Sequence, residues 1–172
     1  MRHKPIKSKL FAQNRKRIAE LMAPKALAVI NANDVLPTNA DGTLPMQPNA
    51  DLFFLTGIEQ EESILVLFPD AADEKHREIL FVRQPNEQLQ IWEGYKHTKA
   101  DARKISGVKN VKWLSEFPVL FRSLMCEAES AYLNSNEYKR ANVEVQTRDM
   151  RFIAQCQSDF PLHQYRRLAP LL

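Results

Sequence analysis

The apolar residues of this chain fall in short runs, each closed by turn-forming residues. ALAVI (Ala26 to Ile30) gives way to NAND, the run ending at Phe68 meets Pro69, and EILFVR (Glu78 to Arg83) is broken by QPNEQ. Runs of this size suit buried strands, and none approaches the roughly 20 apolar residues of a membrane span. DLFFLTG (Asp51 to Gly57) reads as another strand, joined through the spacer IEQEE to the strand Ser63 to Phe68 by a hairpin-type connection. LQIWE (Leu89 to Glu93) reads as resumed extended chain, and Val108 to Trp113 and Ala131 to Leu133 as short strands. In the middle of the chain the strands follow one another through short connections, which favours antiparallel pairing.

Helical spacing appears at both sides of this strand cluster. Ser8 to Met22 places Leu10, Phe11, Ile18, Leu21 and Met22 on one side and Arg15, Lys16 and Glu20 elsewhere, with Ser8 as the cap and Pro24 as the stop. Thr98 to Ile105 is a helix capped by Thr98, and Ser115 to Met125 carries Phe117, Leu120, Phe121 and Leu124 at helical spacing with Pro118 in the first turn. The stretch after Asn136 is helix-compatible but weakly patterned. The expected architecture is α/β, with a mixed β-sheet of about six strands flanked by helices. Residues 1–172 are expected to form a single domain, and an apolar share of 44% is enough for such a core without disulfides or metals.

Charge and motif content exclude most site chemistries. The 24 basic and 21 acidic residues leave a formal net charge of +3, and the basic run at the start reads as a solvated helix face beside a loose terminus, so no nucleic-acid partner is expected. Cys126 and Cys156 form no CxxC pair and read as two buried thiols in a reducing compartment. No apolar core follows the charged N-terminus, so no signal peptide and no membrane association are expected, and the location is cytoplasmic. The histidines His3, His76, His97 and His163 give no HxH or HExxH, and the glycines are too far apart for a phosphate-binding loop. The acidic groups Glu61–Glu62 and Asp70–Asp73–Glu74 read as solvated turns. Catalytic and metal-binding residues are therefore expected to be none in this chain. One cluster stands out: Gln90-Ile91-Trp92-Glu93-Gly94-Tyr95 puts aromatics, a carboxylate and a glycine at a strand end entering a loop, where sites usually sit. On the residues alone, Trp92 reads as half-buried core.

The stretch NADLFFLTGIEQEESILVLFP (Asn49 to Pro69) resembles the N-terminal domain of Xaa-Pro aminopeptidases (aminopeptidase P), of the creatinase/prolidase type. The matching signature comprises Asn49, Asp51, Phe53, Phe54, Leu55, Thr56, Gly57 and Ile58, then Glu62 and the run from Ile64 to Phe68. EILFVRQPNEQLQIWEGYKHT continues the resemblance, with Gln90 in place of the usual acid and Trp92 and Gly94 kept. The tail FPLHQYRRLAPLL resembles the helix that leads to a second domain, and its apolar end suggests continuation past Leu172. Leu52 and Phe54 depart from the family's usual aromatic and tyrosine without loss of apolar character.

The resemblance implies a non-catalytic domain. In that family a C-terminal domain of pita-bread fold binds two manganese ions through Asp, Asp, His, Glu and Glu and removes an N-terminal residue before proline. None of those ligand motifs occurs here, so this chain alone is expected to be inactive. The implied partners are its own C-terminal catalytic domain, further copies of itself in a dimer or tetramer, and proline-containing peptides as substrate. The implied site residues are Trp92, Glu93, Gly94 and Tyr95, as part of a wall at the active-site entrance or an oligomer interface. Asp51, Phe53, Leu55, Thr56 and Gly57 are implied to be structural. Two other expectations fit the same residues: a stand-alone protein- or peptide-binding module of this fold, as in a histone chaperone, and the N-domain of a prolidase or creatinase.

Overall fold

The computed structural model describes residues 6–86, 94–140, 142 and 144–172. Helix α1 (Ser8–Leu21) leads into strand β1 (Ala26–Asn31). A long irregular segment then reaches α2 (Ala50–Thr56), followed by β2 (Ile64–Leu67) and β3 (Glu78–Val82). After the β3–α3 connection come α3 (Lys99–Ser106), β4 (Asn110–Trp113), α4 (Phe117–Glu127), β5 (Ser130–Leu133), α5 (Arg148–Asp159) and β6 (Gln164–Arg167). Among the described residues the six strands form one sheet in the order β4-β3-β2-β1-β5-β6. The pairs β1–β2 and β2–β3 are antiparallel, whereas β3–β4, β1–β5 and β5–β6 are parallel. The sheet is therefore mixed, as expected.

Alternation along the strands builds two apolar layers, because successive side chains point to opposite faces. Ala28, Ile30, Leu65, Leu67, Leu80 and Val82 face α1, α2 and α3, where Ile18, Leu52, Leu55 and Ala102 meet them. Leu27, Val29, Val66, Ile79, Phe81 and Ala131 face α4 and α5, where Phe117, Phe121, Leu124 and Cys156 meet them. Every residue of β1 is buried, which explains its uninterrupted apolar run at the centre of the sheet.

Several sequence expectations are corrected. DLFFLTG is a helix and not a strand. The Asn49 side chain caps it by accepting from the Asp51 and Leu52 amides at 3.0 Å each, and Gly57 ends it in the left-handed region at φ 69°. The hairpin-type connection is consequently absent, and β2 pairs instead with β1 and β3. Lys7, not Ser8, occupies the N-cap position of α1. The tail is not helical at Gln164–Arg167, where it adds a parallel edge strand to β5. Of the two thiols only Cys156 is buried, and Cys126 is exposed on α4. The extended chain expected at Leu89 to Glu93 lies outside the described residues.

The buried face of α1 is also rotated from the expected one. Leu10 and Leu21 are exposed, while Phe11, Asn14, Arg15 and Ile18 are buried. Arg15 is only 1% exposed because its donors are matched. Nη1 donates to the carbonyls of Leu55 at 2.7 Å and Ser106 at 2.9 Å, and Nε donates to Glu78 Oε2 at 3.1 Å. One guanidinium thus serves the carbonyl ends of both α2 and α3, where the helix dipoles favour a cation. The two ends are built alike from LTGI and ISGV. In each, a hydroxyl donates back four residues, Thr56 to Leu52 at 2.7 Å and Ser106 to Ala102 at 2.6 Å. Each hydroxyl also accepts an amide beyond the glycine, from Ile58 and from Val108, at 3.1 Å.

Candidate functional site

The β3–α3 connection carries the sequence-predicted site. Trp92 and Glu93 lie outside the described residues. Gly94 and Tyr95 are described, and both are exposed. Gly94 has a φ of 75°, and among the described residues nothing lies within 4 Å of where a Cβ would project. The Tyr95 ring packs edge-on to His97 with centroids 6.0 Å apart, and its hydroxyl donates to Asp101 Oδ2 at 2.5 Å. Asp101 also belongs to the capping box of α3, in which the Thr98 amide donates to Asp101 Oδ2 at 3.0 Å and the Asp101 amide to Thr98 Oγ1 at 3.1 Å. The Thr98 hydroxyl, then Tyr95, hold the Asp101 carboxyl down to about 2, so it is ionised at neutral pH.

The base of this connection is fastened by the spacer between α2 and β2. Gln60 is buried; its Oε1 accepts the His97 amide at 2.6 Å, and its Nε2 reaches the Arg83 carbonyl at 3.5 Å. One side chain therefore spans the chain leaving β3 and the chain entering α3. Glu61 pairs with the largely buried Lys96 and lies 3.5 Å from Arg83 Nη1, while Glu62 lies 3.7 Å from Arg83 Nε. Burial lowers the His97 pKa against the opposing pull of Asp101, Glu59 and Glu61, and among the described residues its buried Nδ1 has no hydrogen-bond partner. Glu61 and Glu62 do form a turn and Glu62 is exposed in it, but Glu61 is largely buried and, with Gln60, clamps the connection. Sequence reasoning missed the clamp role of Gln60, Glu61 and Lys96; the first two lie in the polar run Glu59 to Glu62 that follows Gly57 and Ile58, and nothing local marked Lys96.

Gln60→Ala is expected to speed hydrogen exchange at the His97 amide by about tenfold, because a buried hydrogen bond of about 1–1.5 kcal/mol is lost. Exchange measured by NMR checks this, and amides of β1 should stay protected.

The residues expected to be structural are brought together around α2. Asp51 Oδ2 accepts from Asn134 Nδ2 at 2.8 Å, tying the start of α2 to the end of β5. Phe53 packs edge-on to Phe11 with centroids 6.2 Å apart, and Leu55 and Thr56 are fully buried. A Cβ on Gly57 would lie 2.5 Å from Phe11 Cε2 and Cζ. Among the described residues no group of His, Cys, Asp or Glu is placed to hold a metal ion, and no helix is long and apolar enough to cross a membrane.

The mixed sheet with helices on both faces is a fold shared with solved aminopeptidase P structures. A Bacillus anthracis aminopeptidase P-type structure superposes with a TM-score of 0.83 at 24% identity, over 96% of this chain and 39% of that one. A variant of Escherichia coli aminopeptidase P, solved in complex with substrate, superposes with a TM-score of 0.72 at 25% identity, over 98% of this chain and 38% of that one. In sequence the chain is 28% identical to the Xaa-Pro aminopeptidase of Escherichia coli (strain K12) over 135 residues, covering 78% of this chain and 30% of that protein. The family model for the aminopeptidase P N-terminal domain matches residues 11–133, and the chain belongs to that family. It spans about a third of the length of the relatives it matches.

Proposed function

We propose that this chain forms one N-terminal domain of an Xaa-Pro aminopeptidase and walls the entrance to that enzyme's active site. The observation that carries the reading is the clamp of Gln60 and Glu61 on both legs of the β3–α3 connection, since residues 87–93, with Trp92 and Glu93, join those two legs in sequence. A wall must hold its shape while short peptides pass, and loops on a rigid scaffold are suited to that. The similarity to a protein named Xaa-Pro aminopeptidase supports the choice of enzyme.

In this reading the chemistry belongs to a C-terminal catalytic domain, where two manganese ions would supply an activated water for peptide hydrolysis. The domain's partners are that catalytic half, further copies of the protein in a dimer or tetramer, and proline-containing peptides, all in the cytoplasm. The 172-residue chain, assayed with an X-Pro dipeptide and manganese, is expected to give no turnover above background. Turnover at the rate of an ordinary metallopeptidase would refute the non-catalytic assignment.

A further inference from the structure

Among the described residues three that are not glycine have a positive φ: Lys25 (52°), Ala40 (52°) and Glu62 (59°). A side chain is disfavoured in this left-handed region, so such residues persist where their neighbours hold them. Lys25 shows how. Its amide donates to Asp70 Oδ2 at 2.7 Å, and its carbonyl accepts the Glu129 amide at 2.9 Å. Ala40 sits in a tight loop closed by the Thr38 amide on the Gly42 carbonyl at 2.9 Å.

Glu62 lies where the clamp meets the sheet. Gln60 and Glu61 before it hold the β3–α3 connection. Ser63 after it is buried, and its carbonyl accepts the Ala32 amide at 2.8 Å beside the start of β2. The left-handed residue is thus the point at which the chain turns from the clamp into the sheet. The Glu62 carboxylate is half exposed and 3.7 Å from Arg83 Nε, which makes a weak tie.

A closer hold comes from Arg148, 86 residues along the chain, whose Nη2 donates to the Glu62 carbonyl at 3.2 Å. Arg148 is the first residue of α5, and that end of the helix is itself fastened. Thr147 Oγ1 accepts the Met150 amide at 3.3 Å, Asp149 accepts from Asn31 at the end of β1 at 2.9 Å, and Arg151 pairs with Asp34 at 2.7 Å. Glu62, Asp34 and Asp149 supply the counter-charge of the half-buried guanidinium. Its one hydrogen bond among the described residues goes to the backbone of the left-handed residue.

We propose that Arg148 is a positioning residue for the β3–α3 connection: by holding the Glu62 carbonyl it keeps the turn that brings Gln60 and Glu61 onto that connection. The bearing of this on peptide entry rests on the entrance role above.

The test is hydrogen exchange at the His97 amide, the group that Gln60 holds, measured by NMR on the 172-residue chain. Arg148→Gln should speed it by about threefold or more, with the amides of Leu27 and Val29 in β1 unchanged. Arg148→Lys, which keeps the charge and a donor, should stay within about twofold of the original rate. In a Glu62→Gly background, where the left-handed backbone needs no holding, Arg148→Gln should change the rate by less than about twofold. The proposal is overturned by an unchanged rate at His97 in a folded Arg148→Gln variant, or by equal acceleration at Leu27 and Val29, which would mark a general loss of stability. Equal effects of Arg148→Lys and Arg148→Gln, or an effect of Arg148→Gln that persists undiminished beside Glu62→Gly, also overturn it. No catalytic activity is read, so the outcome is independent of the entrance role.

Discussion

Arg15→Ala is expected to lower the stability of the domain by about 3–5 kcal/mol. The side chain is 1% exposed, and its loss leaves the Leu55 and Ser106 carbonyls without their donor in the interior. Each such buried group costs about 1–3 kcal/mol when unsatisfied, and the void left by a large side chain adds to that. Glu78, the third partner, is 39% exposed and recovers water, so it contributes little. Arg15→Lys keeps the charge but not the fork that reaches two carbonyls and a carboxylate together, and should recover only part of the loss. Urea unfolding checks this: the midpoint should fall with an unchanged slope. A loss below about 1 kcal/mol would show that the arginine is not what joins the ends of α2 and α3.

Gly57→Ala is expected to cost about 2–5 kcal/mol. The left-handed backbone at φ 69° penalises any Cβ by about 1–2 kcal/mol. The added methyl also meets the Phe11 ring at 2.5 Å, and overpacking of that kind costs about 1–3 kcal/mol. Gly94→Ala supplies the control, since it has a similar φ of 75° with no described residue within 4 Å of the added Cβ. It should show the backbone penalty alone, about 1–2 kcal/mol. Equal losses at the two positions would mean that Phe11 yields and that the fit between α1 and the end of α2 is loose.

The fold class was legible because β1, β2 and β3 are apolar runs with clear stops, and because Thr98 and Pro118 mark helix starts. DLFFLTG was misread because seven residues give too little periodicity to separate a buried helix from a strand. The decisive signals were its ends, the Asn49 cap and the left-handed Gly57. Arg15 was misplaced because helical spacing gives a side chain's direction but not the carbonyls that await it there. β6 has no apolar alternation to betray it, being mostly exposed at the sheet edge, and its pairing with β5 is a tertiary event. At the candidate site the sequence marked Trp92 to Tyr95 through their composition. The clamp formed by Gln60, Glu61 and Lys96 depends on contacts of 35 to 37 residues' separation, which no local pattern records.

The entrance role stands or falls on Trp92 in a protein that carries both this domain and its catalytic half. Trp92→Ala in that protein should lower kcat/KM for an X-Pro peptide by about 10–30-fold, the equivalent of truncating an aromatic anchor worth about 1.4–2 kcal/mol, or shift the oligomeric state measured by sedimentation. Unchanged kinetics together with unchanged assembly would contradict the account.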